Sequence, residues 1–567
     1  MLQENSDISS DFDEESDIFS DKEYEIPNKK KSIKNAANRN KERSTKNTKK
    51  LSNFSQDKGK KKDKEQENEI DEKETKIEFS RTSRYENARN SLFIKKWANI
   101  EGVHKALFET IDEVIEGNEW QLKYSNESGL CDIDELILED FFKTIPHLKL
   151  YIGAHEPSKL YNFKPFSSYS LNDTYSSKTG YIIYTGFPIW GLDWCPGYLK
   201  GKQYLAISGH PDYETHSMLL STEELKNSSI QIWSFIPGSN DELSNKPFLE
   251  VFIFHSFGSV WDLKWCPLTS KIEKKLGFLA CIFGDGCTRI FPVPFSDKPD
   301  KTLYIKLEQV KLSLKIYNTK CTCLCWISSN RIAIGTSNGQ ICIFDLEEEN
   351  PNIPIISFFC HSTYIRNIAS CSPSYPNLLI SSAYDCTIKI TDIRDPLGDM
   401  AFIQRQRAMN FVVQWWDKLS CIILNDNICG LRFTFFDTLQ SSNHIISLDA
   451  TLWAIAISPV HPFVAATGAD GTVTIVNFIR KTFSKLRQPL SIRKIYQLSI
   501  NYEDMSYLLV ENFKPEKYQK IKSTPTIFPP EIGITVLKAS WNPTEKYGGW
   551  LASGSTSGIL RVEDLAF

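Results

Sequence analysis

The segment SGHPDYETH holds the densest group of side chains in this sequence that could do chemistry. His210, Asp212, Glu214 and His216 alternate along it, and imidazoles together with carboxylates are ligands that zinc and other transition metals accept. Pro211 interrupts the regular spacing, however, and the segment follows a predicted strand. It is therefore better interpreted as a structural or partner-binding loop, and we predict no metal site.

Other signatures of catalysis are missing from the sequence. It contains no phosphate-binding P-loop, no G-x-S-x-G, no H-E-x-x-H and no identifiable pair of nucleophile and base. None of the fourteen cysteines forms a C-x-x-C pair, and Cys321, Cys323 and Cys325 alternate along one predicted strand. That spacing is typical of buried, reduced thiols and not of zinc ligands or disulfides. The sequence predicts no catalytic residues, no cofactor and no small-molecule substrate.

Two groups of basic residues are candidates for binding nucleic-acid phosphates. Residues 1–27 hold ten acidic residues against Lys22 alone, whereas residues 28–64 hold fifteen Lys or Arg against three acids. A second, acid-free basic run opens a predicted insertion at about residues 479–530. The candidates are Lys29, Lys30, Lys31, Lys60, Lys61, Lys62, Arg480, Lys481, Lys485, Arg487, Arg493 and Lys494. Lysine-rich runs bind phosphates without reading bases; the alternatives are a solubilising tail, an import signal and a plain solvated loop.

A repeated unit must position whatever site the chain carries. PIWGLDWCP at residues 188–196 returns as SVWDLKWCP at residues 259–267, and its alternating large apolar residues predict a half-buried strand. Two further apolar runs follow each copy, with turn sequences such as Gly284-Asp285-Gly286 and Ser337-Asn338-Gly339 between them. Seven such units occur, the clearest at the spacing of roughly 40 to 45 residues that is typical of WD40 blades. We therefore predict an all-β, seven-bladed WD40 β-propeller.

The large aromatic residues of the repeat are predicted to be structural. Trp190, Leu192 and Trp194 are expected on one face of their strand, and the same holds for Trp261 and Trp265. The predicted blade positions are Trp190, Trp194, Trp261, Trp265, Trp326 and Trp541. The last unit ends soon after its third strand, so GYIIYTG at residues 180–186 is predicted to pair with GILRVEDL at residues 558–565 and to close the ring.

The rest of the chain divides by composition. Residues 1–90 lack apolar density and are predicted to be a disordered, acidic-then-basic tail. Residues 91–149 are predicted to be a helical arm, with one helix in the stretch from Ser91 to Trp120, stopped by Gly117, and a second from Asp134 to Ile145. Residues 150–567 form the predicted propeller. No apolar run approaches the roughly 20 residues that a membrane span needs, so no membrane partner is expected.

One sequence segment is more specific for a protein family than the repeat itself. GYIIYTGFPIWGLDWCP at residues 180–196, followed by YLAISGHPD, IQIW and HSFGSVWDLKWCP, resembles the WD40 subunit of TFIIIC, the general transcription factor of RNA polymerase III. The resemblance covers about residues 150–567 and is most specific in the first two units. Lys58-Gly59-Lys60 lacks the Arg-Gly-Arg-Pro core of an AT hook, so reading of the minor groove by that device is not expected.

The resemblance implies a non-enzymatic nuclear protein. Its expected partners are a second propeller subunit and the large winged-helix subunit of TFIIIC, and the complex is expected to bind DNA at the B box of tRNA genes. Two alternatives stay open, because propellers host unrelated functions. One is a WD40 scaffold of another nuclear complex, such as a chromatin modifier, and the other is an enzyme that uses one face of the propeller.

Overall fold

The computed structural model describes residues 91–566, with gaps at 109–117, 127–128, 154–157, 198–200, 211–225, 240, 268–273, 296–300, 399, 406–411, 427, 440, 484–489 and 518–532. The predicted tail at residues 1–90 lies outside the described residues. Helices are short: α1 (Leu92–Trp97), α2 (Glu119–Tyr124), α3 (Glu135–Lys143) and α4 (Phe478–Phe483). None of them is long and apolar enough to cross a membrane.

Strands dominate the described residues. In chain order the first eighteen are β1 (Leu130–Asp132), β2 (Leu148–Ile152), β3 (Lys159–Phe163), β4 (Ser168–Ser170), β5 (Thr179–Tyr184), β6 (Ile189–Trp194), β7 (Gln203–Gly209), β8 (Ser228–Phe235), β9 (Phe248–His255), β10 (Val260–Trp265), β11 (Lys275–Phe283), β12 (Thr288–Pro294), β13 (Leu303–Leu307), β14 (Leu312–Leu314), β15 (Cys321–Trp326), β16 (Arg331–Thr336), β17 (Gln340–Asp345) and β18 (Ile356–Phe359). The others are β19 (Ile365–Ser370), β20 (Leu378–Ala383), β21 (Thr387–Asp392), β22 (Met400–Arg405), β23 (Val413–Trp416), β24 (Cys421–Asp426), β25 (Gly430–Phe435), β26 (Ser442–Ser447), β27 (Leu452–Ile457), β28 (Phe463–Gly468), β29 (Thr472–Asn477), β30 (Ser491–Asn501), β31 (Ser506–Val510), β32 (Glu516–Lys517), β33 (Val536–Trp541), β34 (Trp550–Ser555) and β35 (Ile559–Asp564).

These strands form the sheets of an all-β WD40 propeller. The sheet orders are β6-β7-β8-β9-β13-β1, β10-β11-β12-β14, β15-β16-β17-β18, β19-β20-β21-β22, β23-β24-β25-β26, β27-β28-β29-β30-β31-β2-β3 and β33-β34-β35-β5-β4. The innermost strands β6, β10, β15, β19, β23, β27 and β33 contact one another in that order, and β33 contacts β6 again. We call the end at which the innermost strands begin the upper face and the end at which they finish the lower face.

The predicted closure of the ring is confirmed. Strand β5 pairs antiparallel with β35, in a register that runs from Ile559 opposite Tyr184 to Asp564 opposite Thr179. Because β5 precedes the first innermost strand and β35 is the last strand in the chain, this pairing joins the two ends of the domain and covers the edge of β35.

The predicted turns at residues 284–286, 337–339, 469–471 and 557–558 are confirmed between the second and third strands of their sheets. Gly339 has φ +86°, which L-residues adopt only with strain. A Cβ at this position would also lie 2.0 Å from the main-chain oxygen of His361. Glycine therefore lets this turn approach the loop that enters β19.

The predicted helix from Ser91 to Trp120 is wrong. Helix α1 ends at Trp97, and Val103 instead forms a parallel bridge with Ala566 at the last sheet. Among the described apolar residues of this stretch, Ile94 and Trp97 are buried on α1 and Val103 lies beyond the end of that helix, so they do not form one helical face. The second helix is confirmed as α3, where the Asp134 carboxylate caps the helix by accepting the N–H of Leu136.

Part of the predicted insertion at about residues 479–530 belongs to a sheet, while residues 484–489 and 518–530 lie outside the described residues. Strand β30 pairs with β29 as the fourth strand, and β31 pairs with β30 and, in parallel, with β2. Counting three strands per unit left this fourth strand unassigned. Most residues of β30 are half-buried. A strand in that environment does not need strict alternation between apolar and polar residues, so the sequence pattern is weak.

Candidate interaction surfaces

A repeated hydrogen bond joins neighbouring sheets near the lower face. The indole Nε1 of Trp194 donates to the main-chain oxygen of Ser540 at 3.1 Å, and that of Trp265 donates to Asp193 at 3.2 Å. Trp326 Nε1 donates to Lys264 at 3.3 Å. In each case the acceptor precedes the equivalent tryptophan of the neighbouring sheet. These tryptophans hold sheets together, and Trp194, Trp265 and Trp541 are buried.

Trp190 and Trp261 do not follow the regular alternation of side chains that the sequence predicts for their strands. The register of β6 against β7 shifts between Ile189 and Gly191, and that of β10 against β11 shifts between Val260 and Asp262. Each shift is a β-bulge that takes the tryptophan out of the simple alternation. Both side chains are half-buried, as is that of Trp326. The prediction that Trp190 shares one face with Leu192 and Trp194 is therefore wrong.

His210 lies between these two tryptophan rings. Its ring centroid is 4.5 Å from that of Trp190 and 5.2 Å from that of Trp261, and its Nδ1 lies 3.0 Å from Ser259 Oγ. Asp212, Glu214 and His216 fall outside the described residues. Among the residues that the structure describes, no group of three His, Cys, Asp or Glu side chains is placed to hold a metal ion.

The cysteines of the third repeat lie in the core. Cys321 and Cys323 are buried, and burial raises the pKa of each thiol to about 12. Both therefore stay protonated at neutral pH, and a protonated thiol is a poor nucleophile and a poor metal ligand.

Charged side chains line the central channel. Asp262 on β10 and Lys538 on β33 form an ion pair at 3.2 Å although their sheets are not neighbours, so both side chains must extend into the channel. Asp193 pairs with Lys264 at 3.1 Å. A cavity of about 200 Å³ opens near the lower end and is bordered by this second pair together with Gln414, Ile457 and Trp541.

The N-terminal arm occupies parts of the lower face. The Trp97 ring of α1 packs against His461 and Phe463, with centroids 6.0 and 6.1 Å apart. The Trp120 ring of α2 lies 4.7 Å from that of Phe278, and its Nε1 donates to the Ser329 oxygen at 3.2 Å. The arm therefore covers positions at which a partner would otherwise reach the ends of the innermost strands.

The basic residues of the second candidate group do not share one environment. Arg480 is buried and forms an ion pair with Glu101 at 2.7 Å. A carboxylate of the arm therefore compensates the charge of its guanidinium. Arg493 is half-buried on β30, and burial lowers the pKa of its guanidinium. Lys494 Nζ lies 3.8 Å from the Asp449 carboxylate. The side chains of Lys481, Lys485 and Arg487 lie outside the described part, as do Lys29, Lys30, Lys31, Lys60, Lys61 and Lys62.

A buried ion cluster, which the sequence patterns do not predict, holds β31 against the last sheet. Arg561 is 1% exposed. Its guanidinium contacts Glu511 at 2.5 and 3.2 Å and Glu563 at 2.5 and 2.9 Å, while Lys178 Nζ lies 2.5 Å from Glu511. These carboxylates compensate the buried charge of Arg561. No sequence signal predicts the cluster, because Lys178 and Glu511 are far in the chain from the pair Arg561 and Glu563.

The upper face carries exposed aromatic residues beside lysines. Tyr317 is 86% exposed in the loop between β14 and β15, and Phe359 is 65% exposed at the end of β18. Lys315 and Lys320 flank Tyr317. Exposed aromatic side chains are enriched in the interfaces by which proteins bind other proteins.

Comparison with known proteins connects this propeller with transcription. The family model described as WD domain, G-beta repeat matches residues 352–392 and 439–477. The transcription factor tau subunit sfc6 of Schizosaccharomyces pombe is 30% identical over 436 residues, which are 74% of this chain and 70% of that protein. The transcription factor tau 91 kDa subunit of Saccharomyces cerevisiae is 25% identical over 65% of this chain and 54% of its own length. The human general transcription factor 3C polypeptide 2 is 26% identical over 45% of this chain and 32% of its own length.

The similarity to the fission-yeast protein extends over most of both chains and agrees with the observed WD40 propeller. The resemblance carried by the phrase at residues 180–196 is thereby confirmed. The chain belongs to the family of WD40-repeat subunits of transcription factor tau, or TFIIIC, which is a non-enzymatic family.

Proposed function

We propose that this chain is a nuclear subunit of TFIIIC that scaffolds the B-box-binding subcomplex on tRNA genes and other genes of RNA polymerase III. The observation that carries the proposal is the 30% identity with the fission-yeast tau subunit over 74% of this chain. All the relatives named above are transcription factor subunits. No observation on the chain favours the alternative of a chromatin-modifying complex.

The proposed scaffold is a ring of seven blades. This count is supported by the seven sheets of the described strands and by the cyclic order in which their innermost strands touch. A closed ring leaves short, protected edges. Partners then bind to faces and loops of a rigid body, as a scaffold requires.

The proposed partners are a second propeller subunit and the large winged-helix subunit of TFIIIC. Support for subunit binding comes from a difference between the two faces of the propeller. The arm already covers parts of the lower face through Trp97 and Trp120, whereas Tyr317 and Phe359 remain exposed on the upper face.

The basic tail is proposed to contribute non-specific affinity for DNA through Lys29, Lys30, Lys31, Lys60, Lys61 and Lys62, with Lys485 and Arg487 as further candidates. Lysines contact phosphates as point charges and give affinity without reading bases. We leave Arg480 out of this group, because its ion pair with Glu101 and its burial leave its charge compensated within the protein.

Purification of the tagged full chain from nuclear extract, followed by mass spectrometry, tests the assignment. We expect the other TFIIIC subunits in stoichiometric amounts, and tRNA genes in the chromatin that is recovered with the chain. Recovery of histone-modifying subunits in place of TFIIIC subunits would show that the proposal is wrong.

A further inference from the structure

The loop between β14 and β15 presents Tyr317 away from the propeller. Asn318, the next residue, has φ +56°, a conformation that asparagine tolerates better than most residues. The loop is fixed at its far end, because Ser337 donates its N–H to the Lys320 oxygen at 2.9 Å and the hydroxyls of Thr319 and Ser337 lie 3.0 Å apart. An 86% exposed tyrosine thus stands on a well-anchored loop.

The turn at residues 337–339, which anchors this loop through Ser337, also contacts the strand that carries Phe359. Gln340 follows the turn at residues 337–339 and lies opposite Phe359 in the pairing of β17 with β18. Cys360, directly after Phe359, donates its N–H to the Gly339 oxygen at 3.0 Å. One sheet farther round the ring, the Tyr384 ring stacks on that of Tyr364 at 5.1 Å and is itself exposed. We call Lys315, Tyr317, Lys320, Phe359 and Tyr384 the upper-face patch.

The charge of the upper-face patch is positive. Neither Lys315 nor Lys320 forms an ion pair with a carboxylate that the structure describes. Of the nearby turn carboxylates, Asp285 forms an ion pair with Arg289 at 2.5 Å, and Asp385, next to Tyr384, is hydrogen-bonded to His361 at 2.9 Å and not to either lysine. The patch therefore offers two uncompensated ammonium groups around exposed aromatic rings.

We propose that the upper-face patch is the docking surface for another subunit of TFIIIC, and that this subunit contributes an acidic segment with an apolar side chain. Carboxylates complement Lys315 and Lys320, and an apolar side chain covers Tyr317 and Phe359. Single-stranded nucleic acid fits less well. Sites that bind it are usually long basic grooves that follow the nucleic-acid backbone and stack several successive bases on aromatic side chains. The inference rests on the proposed membership in TFIIIC and adds to it the face and the chemistry of the contact.

Lysine footprinting of the full chain, alone and in reconstituted TFIIIC, tests the proposal. The probe is an amine-acetylating reagent with readout by mass spectrometry. On assembly we expect acetylation of Lys315 and Lys320 to slow by about tenfold, which is the protection expected when an interface covers a side chain in nine of ten molecules. Exposed Lys149 on β2 serves as an internal reference on another part of the domain.

Variants then link protection to affinity. The charge-reversing pair Lys315→Glu with Lys320→Glu, and separately Tyr317→Ala, should each weaken retention of the chain in TFIIIC by about tenfold. The matched control is Lys149→Glu with Lys301→Glu, two exposed lysines away from the patch, which should leave retention unchanged. Lys315, Tyr317, Lys149 and Lys301 are exposed and Lys320 is half-buried, so unchanged melting temperatures are required of every variant before its retention is compared.

The outcomes separate the two proposals. Unchanged acetylation of Lys315 and Lys320 in an otherwise complete TFIIIC would overturn the patch and leave the proposed function standing. Protection that appears only after DNA is added would assign the patch to nucleic acid and also overturn it. Failure of the wild-type chain to assemble with TFIIIC subunits would overturn both.

Discussion

Trp265 and Asp193 are joined twice across the boundary between two sheets. The indole Nε1 of Trp265 donates to the main-chain oxygen of Asp193 at 3.2 Å, and the Asp193 carboxylate accepts the main-chain N–H of Trp265 at 3.0 Å. Asp193 also pairs with Lys264 at 3.1 Å. Packing, hydrogen bonding and charge are thus combined at one seam of the ring.

Truncation of Trp265 to Ala should cost about 3 to 5 kcal/mol of unfolding free energy, because it leaves a cavity in a closely packed seam. Trp265→Phe keeps most of the ring and loses the hydrogen bond, so it should cost less. Urea denaturation followed by circular dichroism measures both. A soluble Trp265→Ala protein with unchanged melting and lost subunit binding would instead show that this side chain is a partner site.

Removal of the segment before Pro188 should destabilise the domain severely. It deletes β5, which covers β35, and also β2, which covers β31. Exposed strand edges favour aggregation. The comparison is between a chain that begins at Pro188 and one that begins at Ser91, by calorimetry and size-exclusion chromatography. Equal melting of the two chains would contradict the closure of the ring through β5.

Arg561 should be needed for stability because two carboxylates compensate its buried charge. Arg561→Met leaves Glu511 and Glu563 with Lys178 alone, and loss of one partner of a buried ion cluster costs about 3 to 5 kcal/mol. Arg561→Lys keeps the charge but loses the bidentate contact to Glu511, so it should have a smaller effect. Chemical denaturation of both variants checks the order. A fully stable Arg561→Met protein would indicate that the cluster contributes no net stability.

His461 should make the fold sensitive to mild acid. Its Nε2 donates to the Gly548 oxygen at 2.9 Å and its Nδ1 accepts the N–H of Phe463 at 3.2 Å, so the neutral ring satisfies both contacts. Burial lowers the pKa of His461 to about 3. The stabilising effect is complete above its ordinary pKa of 6.5 and is lost as the pH falls from there toward 3, since the unfolded chain takes up the proton first.

Between pH 7.5 and pH 5, this one group should remove about 2 kcal/mol of stability. Melting temperatures across that range measure the loss. His461→Gln has no ring to protonate and should reduce the pH dependence, whatever its effect on stability at pH 7.5. An identical pH profile in His461→Gln would assign the acid sensitivity to other groups.

Local patterns in the sequence predicted the repeated strands, the turns and the partner of β5. They failed where contacts between residues distant in the sequence determine the local structure. Trp190 is displaced by a bulge that alternation does not reveal, and the spacing that suggested one long helix continues past Trp97 although the chain turns to pair Val103 with Ala566. Arg480 looked like a free charge because Glu101, its partner, is distant in sequence.

The tail lysines should add DNA affinity that is independent of sequence. The motivating observation is the excess of fifteen basic residues over three acidic ones at residues 28–64. Replacement of Lys29, Lys30, Lys31, Lys60, Lys61 and Lys62 by Ala should weaken binding of assembled TFIIIC to a tRNA-gene fragment and to a scrambled fragment alike. The slope of log affinity against log salt should fall by about 0.9 for each phosphate that the variant no longer neutralises.

Deletion of the acidic residues 1–27 is the opposing variant and should strengthen binding, because those carboxylates compete with phosphates for the same lysines. Fluorescence anisotropy over a salt series measures both variants on both fragments. An unchanged salt slope in the lysine variant would remove the DNA role of the tail and leave an import signal. A loss confined to the tRNA-gene fragment would mean that the tail reads sequence, which hydrated lysine ammonium groups without neighbouring aromatic residues are poorly suited to do.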